Sequence, residues 1–233
     1  MLKIQNLTFK YPDGTLAADD ISFSLYEGEN VALIGANGAG KTSLLLNIVG
    51  VLTLSGGTVE ADGVLLGKKT INELRRKVGL VFQNPDDQLF MPLLYDDIAF
   101  GPRNYGADES ETEVKVDSAL KALGIEKLKN RSSLKLSGGE KRLAAIAAVM
   151  ATEPTYLLFD EPTAFLDPRA RRNLIGLMKK LPQGKLIATH DLSFAQEVCT
   201  RVIALKGGKI FAEGGAQLLR DSRLMDDCGL EAI

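Results

Sequence analysis

Apolar residues recur at alternate positions early in the chain: Leu2 and Ile4, Leu7 and Phe9, later Ile21, Phe23 and Leu25. A period of two sets one face of each stretch against a core and the other toward water. The pattern therefore predicts half-buried strands, joined here by the turn Pro12-Asp13-Gly14. Val31-Ala32-Leu33-Ile34 replaces the alternation with an all-apolar run, as expected of a parallel strand covered on both faces. It leads into a glycine-rich turn and a predicted helix over 41–49. A β segment over 58–66 is punctuated by Gly63, and Thr70-Ile71-Asn72-Glu73 has capping-box spacing at the start of another helix. Residues 78–82 return to strand.

From Gln83 to Met150 the strand pattern gives way to helical periodicity. Residues 110–123 are amphipathic, with Gly124 placed to cap their C-terminus, and an alanine-rich helix covers about 139–151. From Thr155 the β/α alternation resumes: strand over 156–159, helix over 168–180, strand over 186–188. A hairpin over 201–205 and 209–212 then turns at Gly207-Gly208. This order predicts an α/β protein whose parallel-sheet core is interrupted by a helical lobe. The core and a β-rich subdomain take 1–82 and 154–233, and the helical subdomain takes 83–153. The chain shows no internal repeat and no low-complexity linker.

Composition narrows the function. Of 233 residues, 45% are apolar and 25% charged, the balance of a globular protein with a core of its own. A net charge of −2 supplies no broad basic field, which argues against sequence-independent nucleic-acid binding. Cys199 and Cys228 form neither a metal-ligand spacing nor a disulfide framework, so they read as thiols of a reducing compartment. The opening residues lack the long apolar segment of a signal peptide. The longest apolar stretch, 143–151, falls short of the roughly 20 residues a bilayer span needs. Any membrane role is expected to come through a partner.

Gly35-Ala36-Asn37-Gly38-Ala39-Gly40-Lys41-Thr42 matches the G-x-x-x-x-G-K-[ST] phosphate loop without a mismatch, between a buried strand and a helix. Its glycines let successive backbone N–H groups curl round an anion, and the helix N-terminus adds its positive dipole end. Lys41 is expected to reach the β- and γ-phosphates, and Thr42 to ligate Mg²⁺. A dinucleotide fingerprint is excluded, because Gly40 is followed by Lys-Thr-Ser rather than x-x-Gly. A second apolar strand ends in Asp160-Glu161. Asp160 there suits Mg²⁺, and Glu161, one peptide further, suits orienting or deprotonating water. On its own such an acidic pair is more often a solvated loop; after a phosphate loop the balance reverses.

Leu136-Ser137-Gly138-Gly139-Glu140 is a third element, whose small residues expose N–H groups at the start of the alanine-rich helix. With the phosphate loop and Asp160-Glu161 it resembles the ATPase domain of ABC proteins, across nearly the whole chain. The resemblance implies a phosphate-loop NTPase core with a mixed sheet, an N-terminal antiparallel β subdomain and an inserted helical subdomain. It implies ATP as substrate with Mg²⁺, and two ATPase subunits paired head to tail as homo- or heterodimer. Each would offer Leu136 to Glu140, and Asp167 of the loop crossing the interface, to the other's ATP. It places Tyr11 on adenine, Ser43 beside Thr42 in the ATP-binding set, Gln83 at Mg²⁺, and His190 at the γ-phosphate. Asp167 precedes Pro168, so it also reads as a helix N-cap. Phe165 stands where the family most often has glycine. Arg142 and Leu143 form an unusual pair that reads as interface variation.

Residues 81–90 and 97–104 resemble the ATPases of energy-coupling-factor and cobalt importers, although Arg103 replaces a more usual aliphatic residue. That implies a peripheral subunit at the cytoplasmic face of the cell membrane. Its partners would be a membrane coupling protein and a substrate-binding membrane component, with cobalt favoured as cargo over nickel or a vitamin. The surface around residues 83–90 and the helical lobe are expected to form a groove for a short helix of the coupling protein, with Leu89, Phe90, Leu93 and Leu94 as apolar contacts and Asp86 and Asp87 meeting basic residues. The competing readings are a motor of another class, such as a lipid or drug exporter, and a soluble ABC enzyme. The latter needs a coiled-coil insertion or a second cassette, and the chain has neither. A non-enzymatic nucleotide-binding module is disfavoured because Lys41, Asp160, Glu161 and His190 are all intact.

Overall fold

The alternating positions of the first segment become two antiparallel strands, β1 (Leu2–Lys10) and β2 (Leu16–Leu25), in a computed structural model that describes residues 1–233. Their register sets Leu2 opposite Leu25, Ile4 opposite Phe23, Leu7 opposite Ile21 and Phe9 opposite Ala18, and all eight are buried. A one-residue slip would turn this set to water, so the apolar pattern fixes the pairing. The buried strand β3 (Asn30–Ile34) follows, then the phosphate-loop residues, then helix α1 (Lys41–Ile48). Strands β4 (Gly56–Ala61) and β5 (Val64–Leu65) turn at Asp62-Gly63, both at positive φ. They complete a four-stranded sheet of order β2-β1-β4-β5.

Helix α2 (Ile71–Lys77) precedes β6 (Val78–Val81). Its expected capping box does not form: the Thr70 hydroxyl donates to the Leu65 and Gly67 carbonyls instead of accepting from the helix. The turn in which the Thr70 and Ile71 amides donate to the Gly67 carbonyl sets the hydroxyl against these carbonyls. Beyond β6 come α3 (Leu94–Asn104), α4 (Glu109–Leu123) and α5 (Gly138–Met150). Asp108 caps the start of α4, and Gly124, left-handed at φ 67°, ends it where the sequence places its stop. The buried strand β7 (Tyr156–Asp160) and helix α6 (Pro168–Met178) follow.

The chain then adds β8 (Gly184–Ala188), α7 (Leu192–Val198), β9 (Arg201–Lys206), β10 (Lys209–Gly215) and α8 (Ser222–Asp227). The second sheet has the order β10-β9-β3-β8-β7-β6, with β3, β7, β8 and β9 parallel and β10 antiparallel. This is the mixed sheet expected of a phosphate-loop core.

Two compact units result. The first comprises 1–80, 155–161 and 181–233; the second comprises 81–154 and 162–180. Residues 162–180, which the sequence grouped with the core, fall in the second unit. There Gly139 of α5 lies so close to Ala170 of α6 that an added Cβ would come within 3.0 Å of the alanine methyl. No helix is long and apolar enough to cross a membrane.

Candidate active site

In the first unit, β3 delivers the chain into the phosphate loop and α1 carries it away. The loop curls because its glycines take conformations closed to other residues. Gly35 has φ 150°, and a Cβ there would sit 2.4 Å from the Leu205 carbonyl oxygen. At Gly40, φ is 101° and the clash would be 2.2 Å, with the Ala17 carbonyl oxygen. Lys41 is buried, and its ammonium donates to the carbonyls of Gly35 at 2.7 Å and Ala36 at 3.2 Å. Burial lowers its pKa, opposed by the nearby carboxylates of Glu161 and Asp160. A cation held this way, with its charge only partly offset, is matched to a polyanion.

Two strand ends converge beside it. Asp160 closes β7, buried, and accepts from the Thr42 hydroxyl at 2.8 Å. Glu161 is also buried and takes φ 43°, an uncommon conformation for a non-glycine residue, with its amide donating to the Ala188 carbonyl of β8. Such strain persists where neighbours over-determine it. The tie to Ala188 constrains the backbone, and His190, beyond the end of β8, holds the carboxylate: its Nδ1 lies 2.9 Å from Glu161 Oε2, and its backbone N–H donates to the same oxygen at 3.3 Å. The other oxygen, Oε1, lies 4.0 Å from the Lys41 ammonium. His190 itself is largely exposed. The lone histidine is thus brought to the carboxylate.

Tyr11 is half-buried just after β1, with its hydroxyl 2.9 Å from Ser43 Oγ and its ring edge-on to Phe9 at 4.8 Å. Spacing along the chain carries no sign of this tie between Tyr11 and α1. Another contact was missed altogether: the Ala36 amide donates to the Cys228 carbonyl at 3.1 Å, and Gly229 lies against Ala36. The segment after α8 therefore braces the phosphate loop at Ala36. Alternation and spacing carry no signal for a backbone contact between residues so far apart.

The second unit gathers the other expected residues. Ser137 and Glu140 form a capping box, the Ser137 hydroxyl accepting from the Glu140 amide while the Glu140 carboxylate accepts from the Ser137 amide at 2.8 Å. Asp167 caps α6 by accepting from the Arg169 and Ala170 amides, with Pro168 as the first helical residue. Between the two helix starts lies a cleft of about 410 Å³ whose walls include Ser137, Gly139, Glu140, Asp167, Ala170 and Asn173. Leu136 is buried. Phe165 is 88% exposed at φ 63°, a side chain that no core holds in a conformation that favours glycine. Gln83, just past β6, is exposed.

Arg142 requires a correction. The sequence reading made it interface variation, yet it is 1% exposed and donates to the Phe82 and Gln83 carbonyls at 2.7 and 2.6 Å. An arginine one turn past the helix start points back along the helix, so its guanidinium reaches an internal neighbour.

A buried strand, a glycine loop closing on a lysine, and a second strand ending in acidic residues define a phosphate-loop NTPase. The family model described as "ABC transporter" matches residues 18–164. The chain belongs to the ABC transporter family, and within it is an ATP-hydrolysing ATPase of the energy-coupling-factor and CbiO type. It is 43% identical to the energy-coupling factor transporter ATP-binding protein EcfA of Carboxydothermus hydrogenoformans, over 99% of this chain and 87% of that protein. The solved structure of cbiO1 from Clostridium perfringens, described as part of the ABC transporter complex cbiONQ, superposes with a TM-score of 0.85. It is 37% identical and covers 96% of this chain and 91% of its own. A bacterial ABC transporter cassette solved as a dimer is 27% identical, with a TM-score of 0.81 over 93% of this chain and 99% of its own.

Proposed function

We propose that this chain is the motor of an energy-coupling-factor importer, seated on the cytoplasmic face of a cell membrane and working as a head-to-tail pair of ATPases. The observation that carries the catalytic part is the meeting of Lys41, Thr42, Asp160, Glu161 and His190 within one unit. Thr42 and Asp160 offer hard oxygen ligands, 2.8 Å apart, of the kind Mg²⁺ takes alongside phosphate and water. Those two residues would hold the ion, which would supply charge neutralisation on the β- and γ-phosphates.

The residues divide the remaining work. The loop amides and Lys41 bind the phosphates, and Tyr11 takes the adenine ring. Glu161 accepts a proton from water at Oε1 as the water oxygen attacks the γ-phosphorus and the bond to the bridging oxygen of ADP breaks. His190 keeps Oε2 occupied and so fixes which oxygen is the base. The cleft of Ser137, Gly139, Glu140 and Asp167 serves the ATP of the second subunit.

For the membrane partner, the apolar four of the docking segment divide. Leu89 and Leu94 are buried, whereas Phe90 is 61% and Leu93 40% exposed. Phe90 packs edge-on to exposed Phe100 at 5.2 Å, and the Asp97 carboxylate holds the Phe90 and Met91 amides at 2.8 Å each. This firm apolar patch suits a short helix of the coupling protein. Asp86 is already engaged by Lys141 at 2.6 Å, so Phe90 and Phe100 are the better probes.

The cargo is a metal ion, with cobalt favoured over nickel, or a vitamin; this choice rests on the resemblance to cobalt importers. Co-expression with a coupling protein and substrate-binding component, followed by uptake assays in vesicles, tests it. ATP-dependent uptake of Co²⁺, lost in Lys41→Ala and in Phe90→Asp with Phe100→Asp, is expected. Robust ATP hydrolysis with export, or with no uptake of any of these cargoes, contradicts the importer reading.

A further inference from the structure

The segment that carries Gln83 is tied to α5 at four points. Arg142 sends its two terminal nitrogens to the adjacent carbonyls of Phe82 and Gln83, at 2.7 and 2.6 Å. Lys141, its neighbour, holds Asp86 at 2.6 Å. The Gln88 side chain donates to the Ala145 carbonyl at 2.9 Å and accepts from the Phe82 amide at 3.2 Å. Residues 141, 142 and 145 lie within about one helical turn of each other, so one short stretch of α5 grips the whole of 82–88. That stretch begins a turn after Ser137, whose capping box fixes the helix start.

Of these ties, Arg142 is the one with no freedom. Lys141 is 19% exposed and Asp86 56% exposed in their side chains, so their ion pair competes with water. Arg142 is buried, and its charge-assisted donors meet two carbonyls in consecutive peptides. A planar fork satisfies that pair of acceptors at once, whereas a lysine ammonium is a single point that cannot hold both in one plane.

We propose that Arg142 is the positioning residue that makes the Gln83 segment and the Ser137–Glu140 end of α5 a single mechanical piece, so that the ATP state sensed at Gln83 is passed to the face offered to the second subunit's ATP. This rests on the reading of Gln83 and of Ser137–Glu140 given above. It adds that Arg142 is the side chain that joins them. A shift of Gln83 then necessarily moves the helix start, and the two ATP sites of a dimer become coupled through one side chain in each copy.

The test is steady-state ATP hydrolysis by four proteins: wild type, Arg142→Lys, Gln83→Ala and the double variant. Arg142→Lys keeps charge and bulk but serves one carbonyl. It should lower kcat by ~10-fold and flatten the cooperativity in ATP with little change in KM, as for a partner that orients a ligand rather than binds substrate. In the Gln83→Ala background the same change should cost nothing further, because Arg142 acts through Gln83. Equal fractional losses in both backgrounds, or full activity of Arg142→Lys, overturn the proposal. Full activity of Gln83→Ala instead removes Gln83 from the mechanism, and the proposal with it. Should Arg142→Lys not fold, hydrogen exchange on the Glu161→Gln protein decides. Amides of 82–88 and of 138–141 should change protection together when Mg-ATP is added, and a change confined to one of the two segments overturns the coupling.

Discussion

Thr42 and Asp160 stand 118 positions apart and meet directly, the threonine hydroxyl donating to Oδ2 of the aspartate at 2.8 Å. The first follows the phosphate loop on α1 and the second closes β7, so the contact exists only because the fold stacks those two ends in one unit.

If the pair holds Mg²⁺, Asp160→Asn keeps the shape and removes the charge. A titration of ATP hydrolysis with Mg²⁺ should then show its midpoint raised by ~10–100-fold, the usual loss on weakening one metal-site contact. An unchanged midpoint would show that Asp160 serves packing only.

Tyr11 separates ring from hydroxyl. Its ring, if stacked on adenine, contributes on the order of 1–3 kcal/mol to ATP binding, so Tyr11→Ala should weaken affinity accordingly in a nucleotide titration. The hydroxyl bond to Ser43 belongs to the protein itself. Tyr11→Phe should therefore leave ATP affinity nearly unchanged while lowering folding stability by about 1 kcal/mol. Equal affinity for all three proteins would remove Tyr11 from the adenine site.

Lys185 gives the fold a pH dependence far from neutrality. The residue is 1% exposed, and its ammonium donates to the Leu181 and Gln183 carbonyls, both at 2.7 Å. Burial lowers its pKa from 10.5 to about 8. Below about pH 8 both folded and unfolded chains carry the charge, and the folded chain bears the full cost of burying it. Between about 8 and 10.5 the folded chain has released the proton and the unfolded chain has not, so stability rises with pH. The buried Cys199 thiol, raised from 9.0 to about 12, opposes this above pH 9.0, because there the unfolded chain loses its proton first. Denaturant melts of wild type and Lys185→Met isolate the lysine. Their stability difference should move in favour of wild type by up to ~3 kcal/mol across that window. A difference that stays flat would place the ammonium in contact with water.

Much of this was legible in the chain because it was local. The strands declared themselves by alternation, and the phosphate loop by glycine spacing. The N-cap at Asp167 showed itself by the proline that follows, and the structure realises it with two backbone amides. What escaped was set by competition or by distance. Thr70 had capping-box spacing, but its hydroxyl turned to the Leu65 and Gly67 carbonyls, while the same spacing at Ser137 and Glu140 closed properly. Arg142 read as interface variation because its place after the pentapeptide touches no group the chemistry requires. Its burial depends on carbonyls some sixty positions earlier in the chain. The brace from Cys228 to Ala36 is a main-chain contact, and side-chain patterns do not record it.

The central claim is that Glu161 is the base of an ATPase whose two copies close on ATP. Its backbone at φ 43° and its tie to His190 fix the carboxylate, and glutamine preserves that shape without the basicity. The direct measurement is sedimentation of Glu161→Gln with Mg-ATP, alongside its turnover. The account predicts retained ATP binding, turnover reduced by ~10²-fold or more, the reach of a general base, and a dimer that forms only when ATP is present. Turnover at the wild-type rate, or an inactive variant that binds ATP and remains monomeric, would contradict it.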